Sequence, residues 1–150
     1  MRSSSSWAPE GSFASFLDRS LDALERELPS IYRAMCVTLA PREVSIAVGG
    51  EVVSILCSVD EARLIATPVQ PAVEVRTSRE AIVDLVDARS TLVASVLGDR
   101  VELRGKLDDL VAFHDGLHVY LHGAVRAPSF PALLRLFRRS MGSASIPIHV

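Results

Sequence analysis

Hydrophobic positions along the chain change their period several times, and each change marks an element. From Ser12 onward Phe13, Phe16, Leu17, Leu21, Leu24 and Leu28 recur at spacings of three and four. Asp18, Arg19, Asp22, Glu25 and Arg26 take the opposite side. That is the stripe of an amphipathic helix, with Ser12 placed to cap it. Pro29 stops or kinks it and seeds a second helix through Ile31, Tyr32, Met35 and Leu39, which Pro41 ends. The period then becomes two. Val44, Ile46 and Val48 alternate with Ser45 and Ala47, and beyond Gly49-Gly50 Val53, Ile55 and Cys57 alternate with Ser54 and Ser58. Two alternating runs around Gly-Gly predict a tight hairpin, because glycine accepts the positive φ of a primed turn. A third strand is expected over residues 63–67, ended by Pro68, and a fourth over 73–75. Their short links favour antiparallel pairing.

Residues 72–106 read as strand, helix, helix, strand. Thr77-Ser78-Arg79-Glu80 fits a capping box with Thr77 as the cap, opening a helix whose apolar face is Ile82, Val83, Leu85 and Val86. Ser90 is expected to cap a short helix holding Leu92, Val93, Val96 and Leu97, closed by Gly98 in the left-handed conformation. Val101 and Leu103 alternate with Glu102 and Arg104, a fifth strand ending at Gly105. A helix over about 108–126 carries Leu110, Phe113, Leu117, Tyr120 and Leu121. The last helix sets Leu133, Leu134, Phe137 and Met141 against Arg135, Arg138 and Arg139. Residues 1–11 form a Ser-rich tail and 142–150 a C-terminal tail, leaving 12–141 as one domain. There is no internal repeat.

At 150 residues one domain can bury roughly 68–70% of its unfolded surface. A formal charge of −2 and few aromatics argue against nucleic acid, which needs basic surface and stacking platforms. Lys106 is the only lysine among the basic residues, a bias that fits a GC-rich bacterial genome. Cys36 and Cys57 are too few for a disulfide framework, and their apolar surroundings predict buried reduced thiols. No apolar run approaches the ~18–20 residues of a membrane span. The start MRSSSSW lacks the apolar core of a signal peptide, so the cytoplasm is the expected location.

Candidate chemistry is sparse. His114, His118 and His122 are spaced by four, so they stack along one helix face with about 40° of drift per step. Imidazoles at that spacing can share a transition metal. They fall at the polar boundary of the helix, and Asp115 is the only evident further ligand, so surface histidines are expected rather than a metal site. Asp108-Asp109 open the helix where carboxylates favour the positive end of its dipole. Gly49-Gly50 lacks the spacing of a phosphate cradle, and no GxSxG-like nucleophile elbow occurs. No catalytic residue and no cofactor is expected.

Several motifs in order then become informative: Thr77-Ser78 before a helix, Leu92-Val93-Ala94 in the short helix, Asp99-Arg100-Val101-Glu102-Leu103-Arg104-Gly105 in the last strand, and Arg126-Ala127-Pro128-Ser129-Phe130-Pro131-Ala132-Leu133-Leu134. Over about residues 72–139 the chain resembles the bacterial branch of the sterol carrier protein type-2 (sterol-binding domain) family. The resemblance implies an α+β fold: a five-stranded, mostly antiparallel sheet covered on one face by helices, with an apolar tunnel between the layers. It also implies binding of sterols, fatty acyl groups or other lipids without chemistry on them. Similar modules occur as appendages of larger enzymes. Asp87-Ala88-Arg89 stands where many members have glycine, the link after Gly98 is one residue longer than in animal members, and His149-Val150 is not a peroxisomal address.

The expected function is therefore non-catalytic carriage of a lipid-like apolar ligand. The side chains expected to line its tunnel are Ile46, Ile55, Val75, Ile82, Leu85, Val93, Leu97, Leu103, Phe113 and Leu117. The rival expectation is a protein–protein or dimerisation module without ligand, whose apolar helix faces make a homodimer or dock a partner enzyme. The Arg135, Arg138 and Arg139 helix offers a surface for transient contact with an anionic membrane.

Overall fold

The computed structural model describes residues 7–145, with side chains described up to Ser140. Helix α1 (Phe13–Glu27) leads into α2 (Pro29–Leu39), and the strands β1 (Glu43–Val48), β2 (Glu51–Cys57), β3 (Ala62–Ile65) and β4 (Val73–Thr77) follow. Then come α3 (Arg79–Val86), α4 (Leu92–Leu97), β5 (Glu102–Gly105), α5 (Leu107–Ala124) and α6 (Phe130–Ser145). The stripe expected of α1 is buried, but so is Asp18, expected on the opposite polar side, because the buried face is wider than the stripe. Ser12 Oγ accepts from the Ser15 amide at 3.0 Å as the expected cap. Glu51, at the start of β2, adds a second cap by accepting from the amides of Phe13 at 2.9 Å and Ala14 at 3.4 Å. The first turn of α1 is thus satisfied from the sheet.

The five strands form one sheet in the order β3-β2-β1-β4-β5. The hairpin closes with Val48 opposite Glu51 across Gly49-Gly50. Three of the four pairings are antiparallel, but β1 and β4 run parallel, with Val44 beside Val73 and Ile46 beside Val75. This corrects the expectation drawn from short links. The hairpin takes one edge of β1, and β3 extends the sheet on the far side of β2. Residues 66–72 must carry the chain back to the start of β1 before β4 can fill its free edge. Glu43 anchors that return: its carboxylate accepts from the amides of Val69 (2.9 Å) and Gln70 (2.8 Å) and from the Ser54 hydroxyl (2.6 Å). Glu43, Ser45 and Ser54 are buried polar residues of this sheet.

Three local expectations shift by one residue. Ser78, not Thr77, caps α3 by accepting from Ala81, while the Thr77 hydroxyl donates to the Arg100 carbonyl at 3.0 Å. Thr91, not Ser90, caps α4, and the Ser90 hydroxyl instead pairs with Ser95 at 2.9 Å. Gly98 has φ −89°, and the left-handed residue is Asp99 at φ 61°. Adjacent Thr and Ser residues are chemically equivalent caps, so only the backbone path chooses between them.

Helices cover one face of the sheet. α1 passes over β3 and α5 over β4 and β5, and α2 packs along α5. That last contact depends on glycine. A Cβ at Gly116 would lie 2.4 Å from Leu39 Cδ2, and one at Gly123 would lie 2.6 Å from Ile31 Cγ2 and Leu24 Cδ1. The two glycines, two turns apart, let α2 close onto α5 despite their cost of about 1 kcal/mol each in a helix. α6 is held to α1 by rings, Phe16 stacking on Phe137 at 4.6 Å and meeting Phe130 at 5.9 Å. Cys36 and Cys57 are buried and not joined in a disulfide, and burial, with Cys36 nearby, pushes the Cys57 thiol up to about 12 against the pull of Arg42. Residues 146–150, whose apolar run admits an edge strand, and residues 1–6 lie outside the described residues.

Candidate functional site

An apolar cavity of about 120 Å³ lies between the covered face of the sheet and the helices. The sheet supplies its floor because even-numbered and odd-numbered residues of paired strands share one face: Val44 and Ile46 of β1 meet Ile55 of β2 and Val75 of β4. The helices supply its roof: Phe13, Phe16, Leu17 and Leu21 from α1, Met35 and Leu39 from α2, Ile82, Leu85 and Val86 from α3, and Phe113, Leu117 and Leu121 from α5. Among the described residues only Thr77 and Tyr120 bring side-chain oxygens to this lining, and both are engaged elsewhere. Thr77 bonds Arg100, and the Tyr120 hydroxyl pairs with Ser20 at 2.7 Å. Burial pushes the Tyr120 phenol up to about 12, partly opposed by the Ser20 bond, so it stays neutral across the working pH range. The lining presents hydrocarbon.

Seven of the ten side chains expected to line a tunnel surround this cavity: Ile46, Ile55, Val75, Ile82, Leu85, Phe113 and Leu117. Val93 and Leu97 do not. They are 56% and 80% exposed, while Ser95 on the opposite face of α4 is 1% exposed. The turn of α4 is set by backbone bonds to Ser95 oxygen from Arg100 and Val101 and by the Ser90 hydroxyl. The polar residue is therefore inside and the apolar pair outside. Leu103 is displaced for another reason: it lies one strand beyond Val75, on the edge strand β5, and packs with the smaller core of Val73, Val101 and Phe113. The residues of α1 and α2 went unassigned from sequence, although the α1 stripe was visible, because an apolar face does not say which layer it meets.

A wider groove of about 700 Å³ opens on the outside between α2, the α3–α4 turn and the second half of α5. Leu85, Val86, Leu92, Leu117 and Leu121 line both spaces. Five aliphatic side chains are thus the partition between cavity and exterior. The Asp87-Ala88-Arg89 junction forms one side of the groove through Ala88, which holds the left-handed conformation at φ 60° without being glycine. Salt bridges brace this side, Asp87 pairing with Arg138 of α6 and Asp84 with Arg100 at 2.7 Å.

The three histidines lie along the exposed side of α5. The rings of His114 and His118 are 4.2 Å apart, His114 Nδ1 lies 3.2 Å from Asp115, and His122 Nε2 contacts the Arg126 guanidinium. Among the described residues no three His, Cys, Asp or Glu side chains gather into a group able to hold a metal ion. No helix among those residues is long and apolar enough to cross a membrane.

Neither a family model nor a curated protein matches the sequence. Solved structures do match the fold. A structure titled UbiJ-SCP2 ubiquinone synthesis protein aligns with TM-score 0.56 at 14% identity, covering 71% of this chain and 93% of that one. Sterol carrier protein 2 from Yarrowia lipolytica in its apo form aligns at 0.55 and 12%, covering 78% and 98%. A Thermus thermophilus protein described as possibly sterol carrier protein aligns at 0.54 and 12%, covering 87% and 99%. At these identities the likeness is one of fold, and the fold is that of sterol carrier protein 2 domains.

Proposed function

We propose that this chain binds and carries a lipid-like apolar ligand, a sterol, fatty acyl chain or similar molecule, in the interior between sheet and helices, without chemistry on it. The observation that carries this reading is the 120 Å³ cavity, in whose described lining the hydroxyls of Thr77 and Tyr120 are already bonded to protein. A dry space of that size costs about 3 kcal/mol at ~24 cal/mol per Å³. An apolar ligand offsets that cost and water does not, because water needs two to four polar partners. The proteins that share the fold, a sterol carrier protein among them, point the same way.

A void of this size holds about one benzene-sized group. A longer ligand therefore has to pass the partition of Leu85, Leu117 and Leu121 into the groove, or separate the layers. Displacement of a fluorescent fatty acid, read against native mass spectrometry of gently purified protein, tests the proposal. Saturable displacement supports it. Two negative results, together with a mass that rises with concentration, would favour the dimerisation reading instead.

Transfer from a bilayer needs a contact surface, and we assign it to the exposed Arg135, Arg138 and Arg139 of α6. Arg138 is already paired with Asp87, which leaves Arg135 and Arg139 as the main contributors. Co-sedimentation with anionic liposomes that survives replacement of all three by Gln would refute this assignment.

A further inference from the structure

Resting on the lipid-binding reading, we propose that the outer groove binds the anionic end of a single-chain amphiphile, with His118 and His122 as the groups that receive it. On α5, Leu117 and Leu121 belong to the partition, and the next residue after each, His118 and His122, lines the groove. A chain threading the partition therefore leaves its head beside two imidazoles one helical turn apart, about 6 Å along the axis. Among the described residues that line the groove these are the only ionisable side chains, and none of those residues is a carboxylate.

Each ring has a neighbour outside the groove's lining residues. His118 Nδ1 lies 3.0 Å from the His114 carbonyl, which can only accept, so Nδ1 carries a proton and Nε2 is left outward. His122 Nε2 contacts the Arg126 guanidinium, which sets a permanent positive charge beside that ring. The α5 side of the groove thus carries two imidazoles, one of them beside a permanent cation. On the α3–α4 wall the Ser90 hydroxyl pairs with Ser95 and the Thr91 carbonyl, and the Thr91 hydroxyl accepts from the Ala94 amide. The two imidazoles of the groove lie on its α5 side.

The test compares dodecanoate with 1-dodecanol as competitors for a bound fluorescent fatty acid, in the wild type and in the His118→Phe/His122→Phe variant, with acetate and inorganic phosphate as chainless controls. The expected result is about tenfold tighter binding of dodecanoate than of the alcohol in the wild type, as charge-assisted bonds supply. That preference disappears in the double variant, alcohol binding is unchanged, and the chainless anions do not compete. Both rings are exposed, so an unaltered melting temperature is expected, and His118→Gln/His122→Gln repeats the test with polar replacements. Equal binding of acid and alcohol in the wild type, or a preference that survives both double variants, overturns the head-group site while leaving chain binding intact. Failure of both competitors overturns the lipid-binding reading itself.

Discussion

Leu39 occupies the space that a side chain at Gly116 would need. A Cβ there would stand 2.4 Å from Leu39 Cδ2 and 2.5 Å from Cγ, and both residues line the cavity. Gly116→Ala gains about 1 kcal/mol of helix propensity and loses roughly 1–3 kcal/mol to overpacking. The net expectation is a loss of up to about 2 kcal/mol. The displaced Leu39 has the cavity to move into, so ligand capacity in the fluorescent displacement assay should fall more clearly than stability. Unchanged ligand binding would show that Leu39 yields away from the cavity.

The two faces of α4 give a sharper contrast. Val93→Ser and Leu97→Ser alter exposed side chains and should leave stability within about 0.5 kcal/mol of wild type and ligand binding intact. Ile46→Phe, on the cavity floor, fills part of the void and should abolish ligand binding while costing no more than about 1.5 kcal/mol. Urea unfolding and displacement on the same samples separate these outcomes. Loss of binding in Val93→Ser would mean that α4 turns its other face inward when ligand is bound.

Acid should loosen the return loop at Glu43. Burial raises this carboxyl, but bonds from the Ser54 hydroxyl and the Gln70 and Val69 amides outweigh it and hold it below its ordinary value of 4.5. A carboxyl lowered on folding contributes stability that is complete above the unfolded value and is lost as pH falls from about 4.5 through the folded one. Glu43→Gln sets an amide NH₂ against the Val69 or Gln70 donor and should cost about 1–3 kcal/mol at pH 7. Its stability should also fall less than the wild type's between pH 5 and about pH 3. Parallel acid profiles of the two proteins would remove Glu43 from the explanation.

Arg79 gathers three elements. Its guanidinium reaches Glu51 of β2 at 2.9 Å and Ser140 of α6 at 2.9 Å, and it lies 5.2 Å from the centre of the Phe137 ring. Glu51 also caps α1, so Arg79→Ala removes the partner of a carboxylate that remains needed. A loss of about 1–3 kcal/mol is expected, with Arg79→Lys restoring only part, since an ammonium cannot reach both partners in one plane. A double-mutant cycle with Glu51→Ala measures the coupling, and strictly additive losses would contradict it.

Much of the fold was legible because local signals agreed with the tertiary structure. The Gly49-Gly50 hairpin, the α1 stripe with its Ser12 cap and the Pro29 junction each depend on a few neighbouring residues. What escaped depends on distant ones. The parallel pairing of β1 with β4 is decided by the return of residues 66–72 over Glu43, and the closeness of α2 and α5 by Gly116 and Gly123, whose role shows only once Leu39 and Ile31 face them. In the cavity the same divide appears. Residues on strands, such as Ile46, Ile55 and Val75, have a face set by period two. Val93 and Leu97 belong to a six-residue helix that is apolar except for Ser95, so no polar side marked its outside, and the one polar residue turned inward.

The most direct test is the mass and melting temperature of the protein before and after solvent extraction. A chain that carries an apolar ligand should appear in native mass spectrometry with added mass of lipid size, which extraction removes. With ligand at a hundred times its dissociation constant, the melting temperature should then fall by roughly 5–10 °C. A bare mass, an unchanged melting temperature and no gain on adding back dodecanoate or a sterol would contradict carriage and leave a fold whose cavity serves no ligand.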